Sequence, residues 1–188
     1  APHPVVILPC ICRKKKELLG EPCRQTQRIE TCMAMGNVAQ TLIEMGIGRE
    51  IPRHEAMDII QQNQDDGLVL QPGNTRDIEI LCSCCGCCCS MLSLQKELPR
   101  PLDFWASNFR ACVNADECNG CGKCIRRCPT QALRPSPVRE VKANPGKRAV
   151  KKLPKPIFTP HRCIGCGNCI PACPSRAISL IARPTPVK

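Results

Sequence analysis

The chain has 188 residues and only four aromatic side chains, so it is too short and too poor in large apolar groups for an enzyme built on one extensive core. Its formal net charge is +11, and its 19 cysteines are about a tenth of the sequence. The odd count and the lack of a signal peptide favour metal binding in a reducing, anaerobic cytoplasm over a disulfide framework. No apolar run reaches the roughly 18 residues that a membrane span needs.

In chain order, residues 1–108 predict a small, mixed α/β, cysteine-rich domain with a helix-helix-hairpin arrangement. Val5–Leu8 is a short apolar run that predicts a buried strand ending at Pro9. Apolar residues then recur at three- and four-residue spacing, which predicts one helix over Thr31–Met45 and a second over Pro52–Gln64.

Residues 68–70 and 77–81 predict two strands around a turn at 71–74, and Leu92, Leu94 and Leu98 predict a short helix at 92–98. Two helices followed by a hairpin is an order found in DNA-binding winged helices. The second helix, however, carries few basic residues, and the aspartates in and just after it, Asp58, Asp65 and Asp66, would repel phosphate. We therefore expect a packing scaffold and no nucleic-acid partner, with a redox-sensing DNA-binding regulator as the alternative.

The first part of the chain also contains four cysteines ahead of the cysteine-dense run. They are Cys10, Cys12, Cys23 and Cys32. Four soft ligands would suit a further iron-sulfur cluster or a zinc ion, and the basic stretch Arg13–Lys16 would favour thiolates. The alternative is that these thiols are buried and pack as small apolar side chains.

Six more cysteines fall within the eight residues from Cys82 to Cys89. Adjacent side chains on a regular strand or helix point in different directions, so one cluster cannot use all six. Some are expected to bind metal, while others pack or react as thiols. A thiol-disulfide enzyme working through this run is therefore a further hypothesis.

The most informative feature is a cysteine pattern near the C-terminal end that occurs twice, each time as Cys-x-x-Cys-x-x-Cys-x-x-x-Cys-Pro. The first copy contains Cys118, Cys121, Cys124 and Cys128, and the second contains Cys163, Cys166, Cys169 and Cys173. In such a run the first three cysteines hold one [4Fe-4S] cube and the fourth ligates the other, so two runs complete each other. A zinc ribbon or disulfides would also explain a single Cys-x-x-Cys, but they do not require eight cysteines in this order.

Residues 111–133 and 156–180 resemble the dicluster ferredoxins. The resemblance implies that Cys118, Cys121, Cys124 and Cys173 hold cluster one, and that Cys128, Cys163, Cys166 and Cys169 hold cluster two. The second run aligns with the first as an internal repeat, and this alignment makes Cys112 a strand residue and not a ligand.

The expected fold class is therefore α+β, with a ferredoxin-like module of two strand, cluster loop, helix and strand repeats after the N-terminal domain. The repeats are predicted at 109–134 and 157–183. Each should contain a helical turn that starts near Pro129 or Pro174, and the second should return as a strand at 177–180.

A longer resemblance covers nearly the whole chain. The order Cys10-Ile11-Cys12-Arg13, then Cys23, Cys32, the Cys82–Cys89 run and the ferredoxin pair is similar to a family of 4Fe-4S dicluster proteins of anaerobic bacteria and archaea. The resemblance implies electron transfer, and it favours a third cluster among the upstream cysteines.

Between the repeats, residues 135–156 form a proline-rich insert with seven basic residues and one acidic residue. It is expected to be either a solvated linker or an arm that steers an acidic redox partner. The function expected from the sequence is low-potential electron transfer through two [4Fe-4S] clusters, or three if the upstream cysteines bind another. The chain would act as a cytoplasmic carrier, or as an electron-transfer subunit of a larger complex, and not as an enzyme by itself.

Overall fold

The computed structural model describes residues 4–73, 75–103, 107–137 and 155–184. The chain divides into two compact units, Ala1–Leu94 (unit 1) and Gln95–Lys188 (unit 2). Most of the predicted basic insert, and the aromatic pair Phe104 and Trp105, lie outside the described residues. In the part of the chain that the structure describes, no helix has both the length and the apolar character needed to cross a membrane.

Unit 1 is built on a five-stranded antiparallel sheet. Its strands are β1 Val5–Pro9, β2 Glu30–Met35, β3 Arg49–Ile51, β4 Val69–Pro72 and β5 Ile80–Cys84. Its helices are α1 Ile11–Leu18, α2 Gly36–Glu44, α3 Arg53–Asp65 and α4 Ser90–Glu97, the last of which ends in unit 2. The strands lie in the order β3-β1-β2-β5-β4, so β1, β2 and β5 are the central strands and β3 and β4 are the edges.

Two neighbouring residues of β1 show how the sheet is covered. Successive side chains of a strand point to opposite faces. Val6 is fully buried with Ala39 of α2, whereas Ile7 is fully buried with Ala56 of α3. Helices α2 and α3 therefore cover opposite faces of the sheet.

The strand predicted at 5–8 and the helices predicted at 52–64 and 92–98 are confirmed by β1, α3 and α4. The helix predicted over 31–45 is wrong in its first part, because Glu30–Met35 forms β2 and only Gly36–Glu44 is helical. Strand β2 lies between β1 and β5 and gains ladder hydrogen bonds on both sides, which outweighs the weak helical periodicity of its apolar residues.

The predicted helix-helix-hairpin is also corrected. Strand β3 separates α2 from α3, and the β4–β5 hairpin pairs with β2 as part of the sheet. The second hairpin strand begins at Ile80, later than expected, and extends through Cys84. The first two cysteines of the Cys82–Cys89 run therefore belong to a strand, and the next four follow it.

Besides the end of α4 and two short 3-10 helices, Pro101–Asp103 and Pro160–Arg162, the described residues of unit 2 form two pairs of short antiparallel strands and one short α-helix. They are β6 Phe109–Val113, α5 Lys123–Arg127, β7 Leu133–Pro135, β8 Pro156–Phe158 and β9 Ile178–Ala182. Strand β6 pairs with β9, and β7 pairs with β8. The buried residues Ala111, Leu133 and Ile178 pack together with cysteines of both runs, so the core of this unit surrounds its thiols.

Cys112 lies in β6 opposite Ser179 and is exposed, which confirms that it is a strand residue. The strand expected at 177–180 is found as β9. The helical turns expected to start near Pro129 and Pro174 are wrong: α5 begins at Lys123 and ends before Cys128, and residues 171–176 contain turns but no helix. Cys128 has an extended backbone with ψ 109, as the ring of a following proline favours.

Candidate metal centres

The buried thiol of Cys124, on α5, identifies one group of cysteines in unit 2. Burial raises the pKa of Cys124, and the nearby thiols of Cys118, Cys121 and Cys173 raise it further. Three of these cysteines come from the first run and one comes from the second. They are the four residues that the sequence assigns to cluster one.

Cys169 identifies the second group. Burial, together with the neighbouring thiols of Cys166, Cys128 and Cys163, raises the pKa of Cys169 to about 12. All four line one cavity that also borders apolar side chains such as those of Leu133 and Phe158. This group contains the four residues that the sequence assigns to cluster two, again with one member from the other run.

Glycines at positive φ shape both cysteine loops. Gly165 lies between two cysteines of the second run with φ +67, and a Cβ there would lie 2.5 Å from the carbonyl oxygen of Phe109. Only glycine has both the conformation and the space that this position requires. Gly122 has φ +70 and precedes α5, but there a Cβ would meet only the end of the Arg126 side chain, at 3.9 Å.

Backbone N–H groups point at two of the sulfur atoms in the cluster-two group. The N–H of Ala111 donates to Cys163 Sγ at 3.4 Å, and that of Ala132 donates to Cys128 Sγ at 3.1 Å. Hydrogen bonds to sulfur favour the thiolate and help to set the potential of a thiolate-bound cluster. Strand β6 and the turn after Pro129 thus help to fix the ligands as well as the core.

Arg162 connects the two runs. Its buried guanidinium donates to three backbone carbonyl oxygens: that of Thr130 at 2.8 Å, that of Leu98 at 2.8 Å and that of Lys96 at 2.6 Å. The Thr130 hydroxyl donates back to the carbonyl of Arg162. Because Thr130 follows Cys128 and Arg162 precedes Cys163, this residue fixes one run against the other. This role cannot be predicted from the sequence, since an arginine beside a cysteine also suits a surface position.

In unit 1 the structure does not gather Cys10, Cys12, Cys23 and Cys32 around one point. The group whose ligand atoms come close enough to share an ion combines Cys23 with Cys85, Cys87 and Cys88, and their four Sγ atoms lie within 4.8 Å of one another. We call these four residues the thiol quartet. Burial opposes ionisation of Cys23, but the N–H groups of Thr26 and Gln25 lower its pKa to about 6.

The remaining cysteines of unit 1 form a series of neighbouring thiols. The series comprises Cys10, Cys32, Cys82, Cys84, Cys89 and Cys12. Hydrogen bonds from Cys32 and Cys84 lower the pKa of Cys82 to about 3. The sequence predicted that the Cys82–Cys89 run would be divided, and the structure divides it between the quartet and this series.

Arg13 lies beside both groups of thiols in unit 1. Its side chain is 1% exposed, and it donates to the Thr31 hydroxyl and, at 2.9 Å, to the carbonyl oxygen of Ser83. These partners are neutral, and the acidic groups that the guanidinium faces are the thiols of Cys10, Cys23 and Cys85. A buried charge without a partner of opposite sign is costly, so Arg13 favours a thiolate at Cys23, and its hydrogen bond helps to lower the pKa of that thiol.

Residues 117–177 match the family of 4Fe-4S dicluster domains. A comparison with curated proteins finds no match. The matched segment contains both groups of cysteines in unit 2. Soft thiol ligands, N–H groups directed at sulfur and a largely apolar cavity suit iron-sulfur cubes. Residues 117–177 thus form an iron-sulfur, electron-transfer domain that binds [4Fe-4S] clusters.

Proposed function

We propose that the protein is a low-potential electron carrier, or the electron-transfer subunit of a larger redox complex, that works through two [4Fe-4S] clusters in unit 2. The observation that supports this most strongly is the composition of the two groups of thiols. Cys173 of the second run lies with Cys118, Cys121 and Cys124, and Cys128 of the first run lies with Cys163, Cys166 and Cys169. Each group of four would hold one cluster.

A bound [4Fe-4S] cluster supplies one-electron redox chemistry. The protein residues determine how that chemistry is used. Burial of Cys124, Cys163 and Cys169 limits the access of water, and the N–H groups of Ala111 and Ala132 stabilise negative charge on sulfur. Cys166, by contrast, is exposed, which gives the cluster-two group a side that a redox partner can approach.

The exchange of one cysteine between the runs has a consequence for electron transfer. Each run supplies ligands to both groups, so the same two loops determine both sites and keep them near each other. Arg162 strengthens this arrangement, because its guanidinium joins the turn after Cys128 to the segment before Cys163. The residues around the two groups therefore favour the passage of electrons from one site to the other.

We further propose that its partners are redox proteins with acidic docking surfaces. The formal charge of the chain is +11, and two cubes with their thiolates would offset only about four of these charges. The basic residues of 135–156 would supply much of the attraction. Long-range attraction between opposite charges raises the rate of association, so it would select acidic partners.

The test is a reductive titration of protein purified without oxygen, with acid-labile sulfide measured per chain. We expect at least eight sulfides, reversible uptake of at least two electrons, and an EPR spectrum broadened by coupling between neighbouring clusters. Cys124→Ser and Cys169→Ser should each impair one cluster, whereas the exposed control Cys112→Ser should change neither. Full electron uptake in both ligand variants, or no reversible uptake by the unaltered protein, would refute the proposal.

A further inference from the structure

We propose that the thiol quartet of unit 1 binds one tetrahedral metal ion, zinc or iron, and not a third iron-sulfur cluster. The site would be structural, and it is independent of the electron-transfer function proposed for unit 2. Its ligands are the four cysteines Cys23, Cys85, Cys87 and Cys88.

The distances between the sulfur atoms are those of a single-ion site. Cys23 Sγ lies 3.6 Å from Cys85 Sγ and 3.7 Å from Cys87 Sγ, and the Sγ atoms of Cys87 and Cys88 are 3.8 Å apart. A zinc ion with zinc-sulfur bonds of about 2.3 Å at the centre of a tetrahedron places its sulfur ligands about 3.8 Å apart. In a [4Fe-4S] cube each thiolate binds a different iron, so the four thiolates must be farther apart than this.

The rest of the molecule provides an internal comparison. Within residues 4–73, 75–103, 107–137 and 155–184, no other group of three or more cysteine, histidine or acidic side chains is close enough to share one ion. The eight cysteines of the family-matched segment are among those that fail this test. The quartet is therefore more contracted than the cysteine groups of the [4Fe-4S] domain in the same chain.

The surroundings of the quartet suit a negatively charged metal centre. Cys85 is 3% exposed and Cys88 is 4% exposed, and both pack against Leu68. Four thiolates and one divalent ion carry about two negative charges in total. The buried guanidinium of Arg13, which faces Cys23 and Cys85 and otherwise donates to the neutral oxygens of Thr31 and Ser83, would offset one of them. The N–H of Gln25 also donates to Cys23 Sγ, at 3.4 Å.

The positions of the four cysteines in the chain show what a metal ion bound by the thiol quartet would do. Cys23 lies in the irregular segment between α1 and β2, whereas the other three lie in and beside the turn at 86–88 that follows β5. An ion bound to both segments would close a loop of about 60 residues. Closing a long loop restricts the unfolded chain more than closing a short one. With four protein ligands and no open position, the site has the form of a structural metal site and not a catalytic one.

The experiment compares metal with acid-labile sulfide in full-length protein purified without oxygen. Iron and sulfide are equal in number in [4Fe-4S] clusters, so a mononuclear site adds one ion without sulfide. We expect the total of zinc and iron to exceed sulfide by about one per chain. The element in excess then identifies the ion as zinc or iron.

Two variants locate the ion. Cys87→Ser should abolish the excess and leave the sulfide content unchanged, whereas the matched control Cys112→Ser should retain both. A loss of about four irons with about four sulfides from Cys87→Ser would instead show a third cluster and overturn the proposal. Equal metal and sulfide in the unaltered protein would also overturn it, and that measurement does not depend on whether any variant folds.

Discussion

Substituting two glycines in turn tests the account of the cysteine loops. Gly122 and Gly165 have nearly the same positive φ, +70 and +67, so alanine is strained to the same degree at both positions. The space differs, because a Cβ at Gly165 would lie 2.5 Å from the backbone oxygen of Phe109 while a Cβ at Gly122 would have its nearest neighbour at 3.9 Å. Gly122→Ala is therefore a control for the backbone strain of Gly165→Ala.

The expected sizes follow from these two contributions. The left-handed conformation costs an alanine about 1–2 kcal/mol, which is the whole effect expected for Gly122→Ala. Crowding against a backbone carbonyl, which cannot move aside like a flexible side chain, adds about 1–3 kcal/mol at Gly165. If this crowding energy lowers the barrier to cluster loss by the same amount, Gly165→Ala should lose its clusters about 5-fold to about 150-fold faster than Gly122→Ala.

The assay is the decay of visible cluster absorbance in a fixed concentration of urea without oxygen, followed in both variants and in the unaltered protein. Both variants should decay faster than the unaltered protein, and Gly165→Ala should be clearly the fastest. Equal rates in the two variants would show that strand β6 does not approach the second cysteine loop as described, and the account of Gly165 would then be wrong.

Three further predictions concern other parts of the protein. Arg162→Ala leaves three carbonyl oxygens without their charged donor, and each such hydrogen bond is worth about 1.5–3 kcal/mol. This variant should therefore lose its clusters faster in urea than the control variant Arg53→Ala, which changes an exposed arginine. A matching rate in the two variants would contradict this role. Asn63→Ala removes a buried amide that donates to the Thr31 carbonyl at 3.0 Å and to the Ser83 hydroxyl at 2.9 Å. Urea unfolding of unit 1, followed by circular dichroism, should show that the free energy of unfolding falls by about 2–4 kcal/mol. A fall of less than about 1 kcal/mol would contradict this expectation. Electron transfer to an acidic partner protein should slow as salt rises from about 0.05 M to about 0.5 M, whereas reduction by a small neutral mediator should not; equal salt dependence would exclude electrostatic steering.

The sequence predicted most where one local pattern determines the structure. In the runs at 118–128 and 163–173 the spacing of the cysteines is itself the signature of an iron-sulfur site, so a match to an iron-sulfur domain could be predicted from these residues alone. Strand β1 and helix α3 were likewise predicted because an unbroken apolar run and a helical repeat each span the whole element. Strand β2 was not, because it forms through pairing with β1 and β5 on both sides, which the periodicity of its own residues does not reveal.

The thiol quartet could not be derived from spacing alone. Its members Cys23 and Cys85 are 62 positions apart, and they meet only because α1, β2 and the hairpin return the chain to the same end of the sheet. Arg13 and Arg162 were missed for a related reason. A basic residue in a sequence suggests a surface position, and both are buried because backbone oxygens and thiols surround them.

The pairing of β7 with β8 has a consequence for how this chain can change in evolution. Pro135 and Pro156 are partners in that ladder, so the connection between them begins and ends at neighbouring positions. The entropic cost of closing such a connection rises only slowly with its length. Residues can therefore be gained, lost or exchanged there at little cost to the strands and cysteines on either side. Under the docking role proposed for this connection, a change there alone would alter the choice of partner while the cysteines of unit 2 stay the same.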